Sequence, residues 1–397
     1  MTRRFQFTVV GFSTIVVALL VFGAVGKSAP PDAPYTNLGV YSEVLSKIKG
    51  DYVEEPDMKA VTVGAINGML EAIDPYASYL NADQYKQYQR ARDTKKGDLG
   101  LLLAKRFGYM VVEAVVPGGP AAKAGFSTGD VVESLDNVST RDMPLAFAEL
   151  LLQGDPGTSV EFSVIRIRRS EPSKVSVVRG MVTYPSVTSR MQGQTGIVTV
   201  ASLQVSRSAD VAAQIASLEK QGARKLILDL RYCATGPQEE GIALANLFMD
   251  SGLIAYTQGQ KSSRQDFRAQ ASRAVTKLPL AVIVNRSTAG AAEIATAALL
   301  QSKRAQVVGE HTFGDAAIRK TVTLSDGGAV ILSVAKYYPA EGKAIQDTGV
   351  TPNILQAESA AEPEGATDDG LPDLTPDDVS KKPVTDEQLN KALQALP

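Results

Sequence analysis

The stretch LAVIVNRSTAGAAEIATAALLQSKRAQVV, residues 280–308, carries the fold of this chain. Leu280–Val284 is a short, unbroken apolar run bounded by polar residues, the pattern of a buried strand. Ala291–Leu300 is longer and alanine-rich, which suits a helix, and Ala305–Val308 is again short and apolar. Working outward, the same alternation recurs upstream. Strands are predicted at Ile197–Val200 and Lys225–Leu230, each followed by a helix, over Ala209–Gln221 and Gln238–Met249 respectively. Alternation of this kind argues an α/β core.

Ahead of Gly196 the pattern differs. From Gly97 onward short alternating strands, Val111–Val116, Val131–Leu135 and Val160–Ile167, are punctuated by Gly and Pro and predict a small β-rich module. Residues 36–92 instead show helical periodicity, with Leu38, Tyr41, Val44, Leu45 and Ile48 and then Val61, Ala65, Met69 and Leu70. Asp74-Pro75 breaks that pattern as a turn, and Ala82–Arg92 resumes it. After Ala357 the chain is rich in Pro, Asp, Glu, Ala and Ser, with ten acidic and three basic side chains. Such a stretch is too polar to offset its ordering entropy, and residues 357–397 are read as an acidic disordered tail. Asp386–Leu396 places Leu389, Leu393 and Leu396 on one helical face, but a helix that short is marginal by itself, so a fluctuating end is expected.

The chain has 397 residues, 44% of them apolar, and a formal net charge of −2. It can bury a sizeable core, and it carries no basic stripe of the kind nucleic-acid binding requires. A single cysteine, Cys233, excludes an intramolecular disulfide and a thiolate cluster, and a single histidine, His311, excludes a multi-histidine metal centre. No metal or other cofactor is expected. At the N-terminus Arg3 and Arg4 precede 22 uncharged residues, Phe5–Gly26, closed by Lys27. That length spans a bilayer, and the flanking charge predicts a membrane anchor with everything after Lys27 facing the periplasm or cell exterior. A cleavable signal peptide ending near Ala24-Val25-Gly26 is the competing reading, and it too implies export.

Several motifs occur in a telling order: DPYASYL at 74–80, PGGPAAKAGFSTGDVV at 117–132, LILDLR at 226–231, TAGAAEI at 288–294, VVGEHTFGD at 307–315, GAVILSVAKYY at 328–338 and GVTP at 349–352. On these the chain resembles the C-terminal processing, or tail-specific, serine peptidases over about residues 36–356. The resemblance implies an α/β core of the ClpP/crotonase-like kind with an inserted β-rich PDZ domain and an N-terminal helical region. It divides the chain into an anchor and spacer (1–34), helices (35–96), a PDZ domain (97–182), a peptidase-like core (183–356) and the tail (357–397). It also implies a peptide site at the PDZ loop Gly97-Asp98-Leu99-Gly100-Leu101, where backbone N–H groups meet a peptide's terminal carboxylate and an exposed strand pairs with it. Asp98 stands where relatives often have glycine, and its carboxylate is expected to weaken binding by like-charge repulsion. A PDZ fold serving only as a spacer is the alternative.

Members of that family cleave with a Ser–Lys dyad. The nucleophile's position corresponds here to Gly290, the lysine's position twenty-five residues later to Asp315, and that of a supporting glutamine to Arg319. Glycine offers no hydroxyl or thiol for acyl transfer, and Asp315 beside Arg319 is expected to form a structural ion pair. The oxyanion donors implied by the resemblance are the N–H groups of Ala291 and Gly236, the second in a turn reading DLRYCATG where relatives have DLRNNPGG. Thr235 is the residue expected to alter that turn, if the glycine it replaces has positive φ. Ser287, Thr288 and a Cys233–His311 pair are the candidates for a rearranged nucleophile.

Three functions remain in view from the sequence. One is a pseudopeptidase that binds unfolded or C-terminal polypeptide segments without cutting. The second is an active peptidase with unorthodox residues, and the third is a structural subunit of an active relative.

Overall fold

A computed structural model describes residues 33–92, 97–106, 108–141, 143–166, 171–358 and 385–397. The candidate anchor Phe5–Gly26 lies outside the described residues. Among the described ones no helix is long and apolar enough to cross a membrane.

Two compact units divide the chain, Met1–Ala65 and Ile66–Pro397. The first contains helix α1 (Ala33–Asp51) and the start of α2 (Met58–Glu71). Asp57 starts α2, its Oδ1 accepting the N–H groups of Lys59 at 2.9 Å and Ala60 at 3.1 Å.

In the second unit a short strand, β1 (Ser78–Leu80), precedes α3 (Ala82–Arg92). Asn81 and Gln84 open α3 with a reciprocal cap. Asn81 Oδ1 accepts from Gln84 N, and Gln84 Oε1 accepts from Asn81 N, at 3.0 and 3.1 Å. Next comes an antiparallel sheet of β2 (Leu101–Arg106), β3 (Tyr109–Val115), β4 (Val131–Leu135), β5 (Val138–Ser139), β6 (Ser159–Ile165) and β7 (Ser173–Val178), with α4 (Pro120–Lys123) after β3 and α5 (Leu145–Leu152) before β6. Its order is β2-β3-β4-β6-β7, with β5 paired to β4. Alternation decides its faces: Val160, Phe162 and Val164 of β6 are buried, while Ser159 and Glu161 are exposed.

The remainder runs β8 (Thr188–Gln192), β9 (Thr195–Thr199), α6 (Arg207–Lys220), β10 (Lys225–Asp229), α7 (Gln238–Asn246), β11 (Leu253–Gln258), β12 (Gln265–Arg268), β13 (Leu280–Val284), α8 (Ala291–Gln301), β14 (Ala305–Gly309), β15 (Ala317–Thr323), β16 (Ala329–Tyr338), β17 (Ile354–Leu355) and α9 (Glu387–Ala395). One six-stranded sheet has the order β17-β14-β13-β10-β9-β8, parallel throughout except for β8 at one edge. Another sheet, antiparallel, joins β1, β16, β11 and β12, with β15 also on β16. In the parallel sheet Leu226, Leu228, Val282 and Val284 point to the core shared with α6, α7 and α8. Their neighbours Ile227, Ala281 and Ile283 point to the opposite face. Burial on both faces is the reason these strands read as unbroken apolar runs.

That opposite face corrects the reading of 357–397 as a disordered tail. Its last residues form α9, and Leu389, Ala392 and Leu396 pack on Ile197, Ile227, Ala281, Ile283 and Val308. Asp386 caps the helix, accepting from Leu389 N at 2.9 Å, and pairs with Arg231 at 2.8 Å. A nine-residue helix that is marginal alone is held here by an apolar sheet face that needs a cover. The residues between 359 and 384 lie outside the described ones.

Candidate functional site

Three loops leave the C-terminal ends of β10, β13 and β14 and meet, at the end of a parallel sheet where α/β folds place their ligands. Their backbones are laced together. Ala289 N donates to Cys233 O at 3.0 Å, Phe313 N to Thr288 O at 3.0 Å, and Tyr232 N to Asn285 Oδ1 at 3.1 Å. Gly290, Asp315 and the turn 232–236 are thereby brought together.

Gly290 caps α8 with φ +61° and ψ −123°, a left-handed conformation that favours glycine. A Cβ added there would meet only Asp315 O at 3.7 Å and Ala234 O at 3.8 Å, so space is open at this point and the constraint is in the backbone. Ala291 is the first residue of α8, so its N–H has no partner within the helix.

The turn 232–236 has its own pattern of backbone angles. Thr235 does not take positive φ; Tyr232 does, at +61°, together with Gly236 at +131°. Thr235 is instead fixed by its carbonyl, which accepts from Leu203 N at 2.7 Å. Gly236 is required for another reason, because a Cβ there would lie 1.8 Å from Leu203 O.

Glu293 was not singled out in the sequence, yet it organises this site. Fully buried, it accepts four hydrogen bonds. Oε1 takes the Thr312 hydroxyl and Gly314 N at 2.7 Å, and Oε2 takes Gly290 N at 3.1 Å and Asp315 N at 2.8 Å. Burial pushes its carboxyl up to about 7, against the pull of these donors. The one available signal was its place three residues after the helix cap, half of a capping box.

Asp315 pairs with Arg319, whose guanidinium lies 4.0 Å over the ring of Tyr76. The phenol of Tyr76 faces Glu113 Oε2 at 3.4 Å, and burial, with Asp315 and Glu293 nearby, holds the Glu113 carboxyl well above its ordinary value. Arg106 of β2 lies 5.1 Å from the Phe313 ring, and Phe313 itself packs against the core of the small sheet. The small sheet is therefore seated on the 313–319 segment.

The other candidate nucleophiles are committed elsewhere. Thr288 Oγ1 donates to Leu230 O at 2.9 Å, and Ser287 Oγ pairs with Thr128 Oγ1 at 2.6 Å. Cys233 packs in the apolar core beside α7 and α8, where burial pushes its thiol up, and His311 Nδ1 faces Thr312 O at 2.8 Å. A thiol without an electropositive neighbour to lower it makes a poor nucleophile. Native chain treated with iodoacetamide near pH 7.5 is expected to keep Cys233 unmodified and to take up the label only on denaturation. Rapid labelling of folded chain, followed by mass spectrometry, would put Cys233 back among the candidates.

At the PDZ-like loop, Gly97 and Asp98 bridge to Gly154 and Gly180. Asp98 N donates to Gly180 O at 2.8 Å, and Leu99 is fully buried. The Asp98 side chain turns inward, its Oδ1 accepting from Gly100 N at 2.8 Å. The repulsion expected from the sequence is thus joined by direct occupation of a loop donor.

Comparison with known proteins agrees with this architecture. The model of peptidase family S41 matches residues 194–356, and that of the PDZ domain matches residues 111–166. Carboxy-terminal processing protease CtpA of Bacillus subtilis is 31% identical over 316 residues, 79% of this chain and 67% of that protein. The chain belongs to peptidase family S41. A second relative, the carboxy-terminal-processing protease of Bartonella bacilliformis, is 27% identical over 81% of this chain and 75% of that protein. Among solved structures, a photosystem II D1 C-terminal processing protease superposes with a TM-score of 0.66 at 29% identity, over 79% of this chain and 86% of that one. The small antiparallel sheet is accordingly the PDZ domain of this S41 chain, and the parallel sheet with its helices is the peptidase-family core.

Proposed function

We propose that this S41 chain is a non-cleaving member of its family, a pseudopeptidase that holds exposed or C-terminal polypeptide segments outside the cytoplasm, tethered through its N-terminal stretch. The observation that carries the reading is the pairing at the loop junction. Gly290 brings no side chain to the helix N-terminus, and the residue opposite, Asp315, is a carboxylate neutralised by Arg319. Acyl transfer needs a nucleophile and a base, and neither stands there. The backbone around them is tied in place, with Glu293 holding Gly290, Gly314 and Asp315 in register, which suits retention of an extended chain without turnover. Exposed Leu38, Val40 and Val44 on α1 favour a second reading, a subunit that docks on an active relative. That reading predicts co-purification with the relative and no peptide affinity of its own.

Casein digestion by the full chain in mild detergent tests the proposal. The natural chain is expected to leave casein intact over a day. Gly290→Ser with Asp315→Lys should be combined with Arg319→Gln, because a lysine beside Arg319 would set two cations together. Any hydrolysis gained by that triple variant would show that the oxyanion donors and substrate path persist. Cleavage by the natural chain that disappears in Cys233→Ala or Ser287→Ala would sink the proposal.

A further inference from the structure

The PDZ loop combines two features that bear on what it takes. First, β2 is the terminal strand of its sheet, paired through one edge to β3, and it lies against α5. The edge not used by β3 supplies the backbone groups with which an extended peptide can pair as an added strand. Second, the loop leading into β2 is both rigid and filled. Its carbonyls at Leu99 and Gly100 accept from Ala121 N at 2.9 Å and Val116 N at 2.8 Å. Its N–H at Gly100, which points a donor to the inside of the loop, is held by the chain's own Asp98 carboxylate at 2.8 Å. Asp98 thus stands in for the oxygen of an incoming carboxylate.

We infer that the PDZ groove of this chain takes internal extended segments of a polypeptide in preference to free C-termini, because Asp98 already occupies the loop donor a terminal carboxylate would need. This rests on the polypeptide-binding reading above and narrows it. An internal segment brings an amide carbonyl where a terminus brings a charged oxygen pair. It therefore avoids both the like-charge penalty from Asp98 and the need for the Gly100 donor.

The probe is a pool of overlapping casein peptides of about fifteen residues, long enough to pair along one strand edge, each made with a free C-terminal carboxylate and as the C-terminal amide. Immobilised full chain in mild detergent is incubated with the pool, and retained peptides are quantified by mass spectrometry. The amide forms are expected to be retained as well as or better than the acids. Asp98→Gly, which frees the donor and removes the charge, should raise acid retention relative to amide by about tenfold, the size of one charge-assisted contact. Asp98→Asn keeps an oxygen on Gly100 N and removes only the charge, so it should give a smaller rise and guards against misfolding of the glycine variant. Preferential retention of acids by the natural chain overturns the inference and leaves the binding reading intact, as does an acid-to-amide ratio unmoved in both variants. Retention of neither form by any of the three proteins removes the binding reading and the inference with it.

Discussion

Removal of residues 386–397 is expected to destabilise the core by about 4 kcal/mol and to make the chain aggregate on concentration, although no residue of the loop junction is deleted. The estimate follows from burial. Leu389 and Leu396 each contribute about 1.5–3 kcal/mol when buried, and Ala392 less, offset in part by the entropy of ordering a short helix. The face they leave is apolar across four strands, with Ile197, Ile227, Ala281, Ile283 and Val308 uncovered. A patch of that kind on a sheet is a site for association. Arg231 would lose Asp386 and keep only Asp229. Urea denaturation followed by far-ultraviolet circular dichroism reads the loss as a lower midpoint. A truncated chain with an unchanged midpoint would mean that α9 rests on the sheet without supporting it. Acid should mimic the truncation in part. Against the burial that raises it, Arg231 and the Leu389 N–H hold the Asp386 carboxyl below its ordinary value, so the clamp's stabilisation is present above about pH 4 and is lost as pH falls below it.

The same helix shows what the sequence could and could not disclose. The runs Leu226–Leu228 and Leu280–Val284 are apolar at successive positions, which already demands a cover on each face of the sheet. Helices α6, α7 and α8 supply one cover. The amphipathic Asp386–Leu396 stretch is the remaining candidate, but a helix that short is marginal in isolation, and the face that holds it exists only once the sheet is formed. Strands of the antiparallel sheet were harder to see. β16 buries alternate ends while its middle residues are half-exposed, and β15 is polar along most of its length, so neither has the continuous apolar signal of β13. Boundaries of the parallel-sheet elements differ from expectation by no more than three residues, as helix and strand ends generally do.

At the site, the residues whose chemistry is local were legible and those whose chemistry is tertiary were not. The Asp315–Arg319 pair spans one short stretch of chain, and it is present. Asp98 could be recognised as an acid in a glycine's place, but repulsion was the only consequence readable from charge. That its carboxylate folds back on Gly100 depends on the loop's conformation, which the sequence leaves open. For the turn 232–236, positive φ falls on Tyr232 and Gly236 while Leu203 N holds the Thr235 carbonyl, a partner some thirty residues upstream that no local reading of the turn reveals.

Glu293→Ala is expected to cost about 4 kcal/mol, near the upper end for a single substitution, and to loosen the segment from 311 to 316 before the rest of the chain. Four donors converge on the carboxylate from Gly290, Thr312, Gly314 and Asp315. With Ala none of them has a partner in its place, and each buried donor left unsatisfied costs about 1–3 kcal/mol, reduced where the loop relaxes or water enters. Glu293→Gln separates shape from charge. Its amide oxygen can serve one pair of donors, while its NH₂ group must face the other pair. At pH 5 it should therefore be less stable than the natural chain by an amount between zero and the alanine loss. The difference should shrink as pH rises. Burial gives the native carboxyl a value of about 7 against 4.5 for the unperturbed group, so between those values the native state holds a proton that the unfolded state lacks. The natural chain then loses stability as pH climbs through that window, by up to about 3 kcal/mol, whereas glutamine does not titrate. Urea midpoints of the three proteins at pH 5 and pH 8, with limited proteolysis to locate the loosened segment, distinguish the cases. A loss below about 1 kcal/mol in Glu293→Ala, smaller than one unsatisfied buried donor, would mean that the junction of Gly290 and Asp315 is held by packing alone and that Glu293 does not organise it.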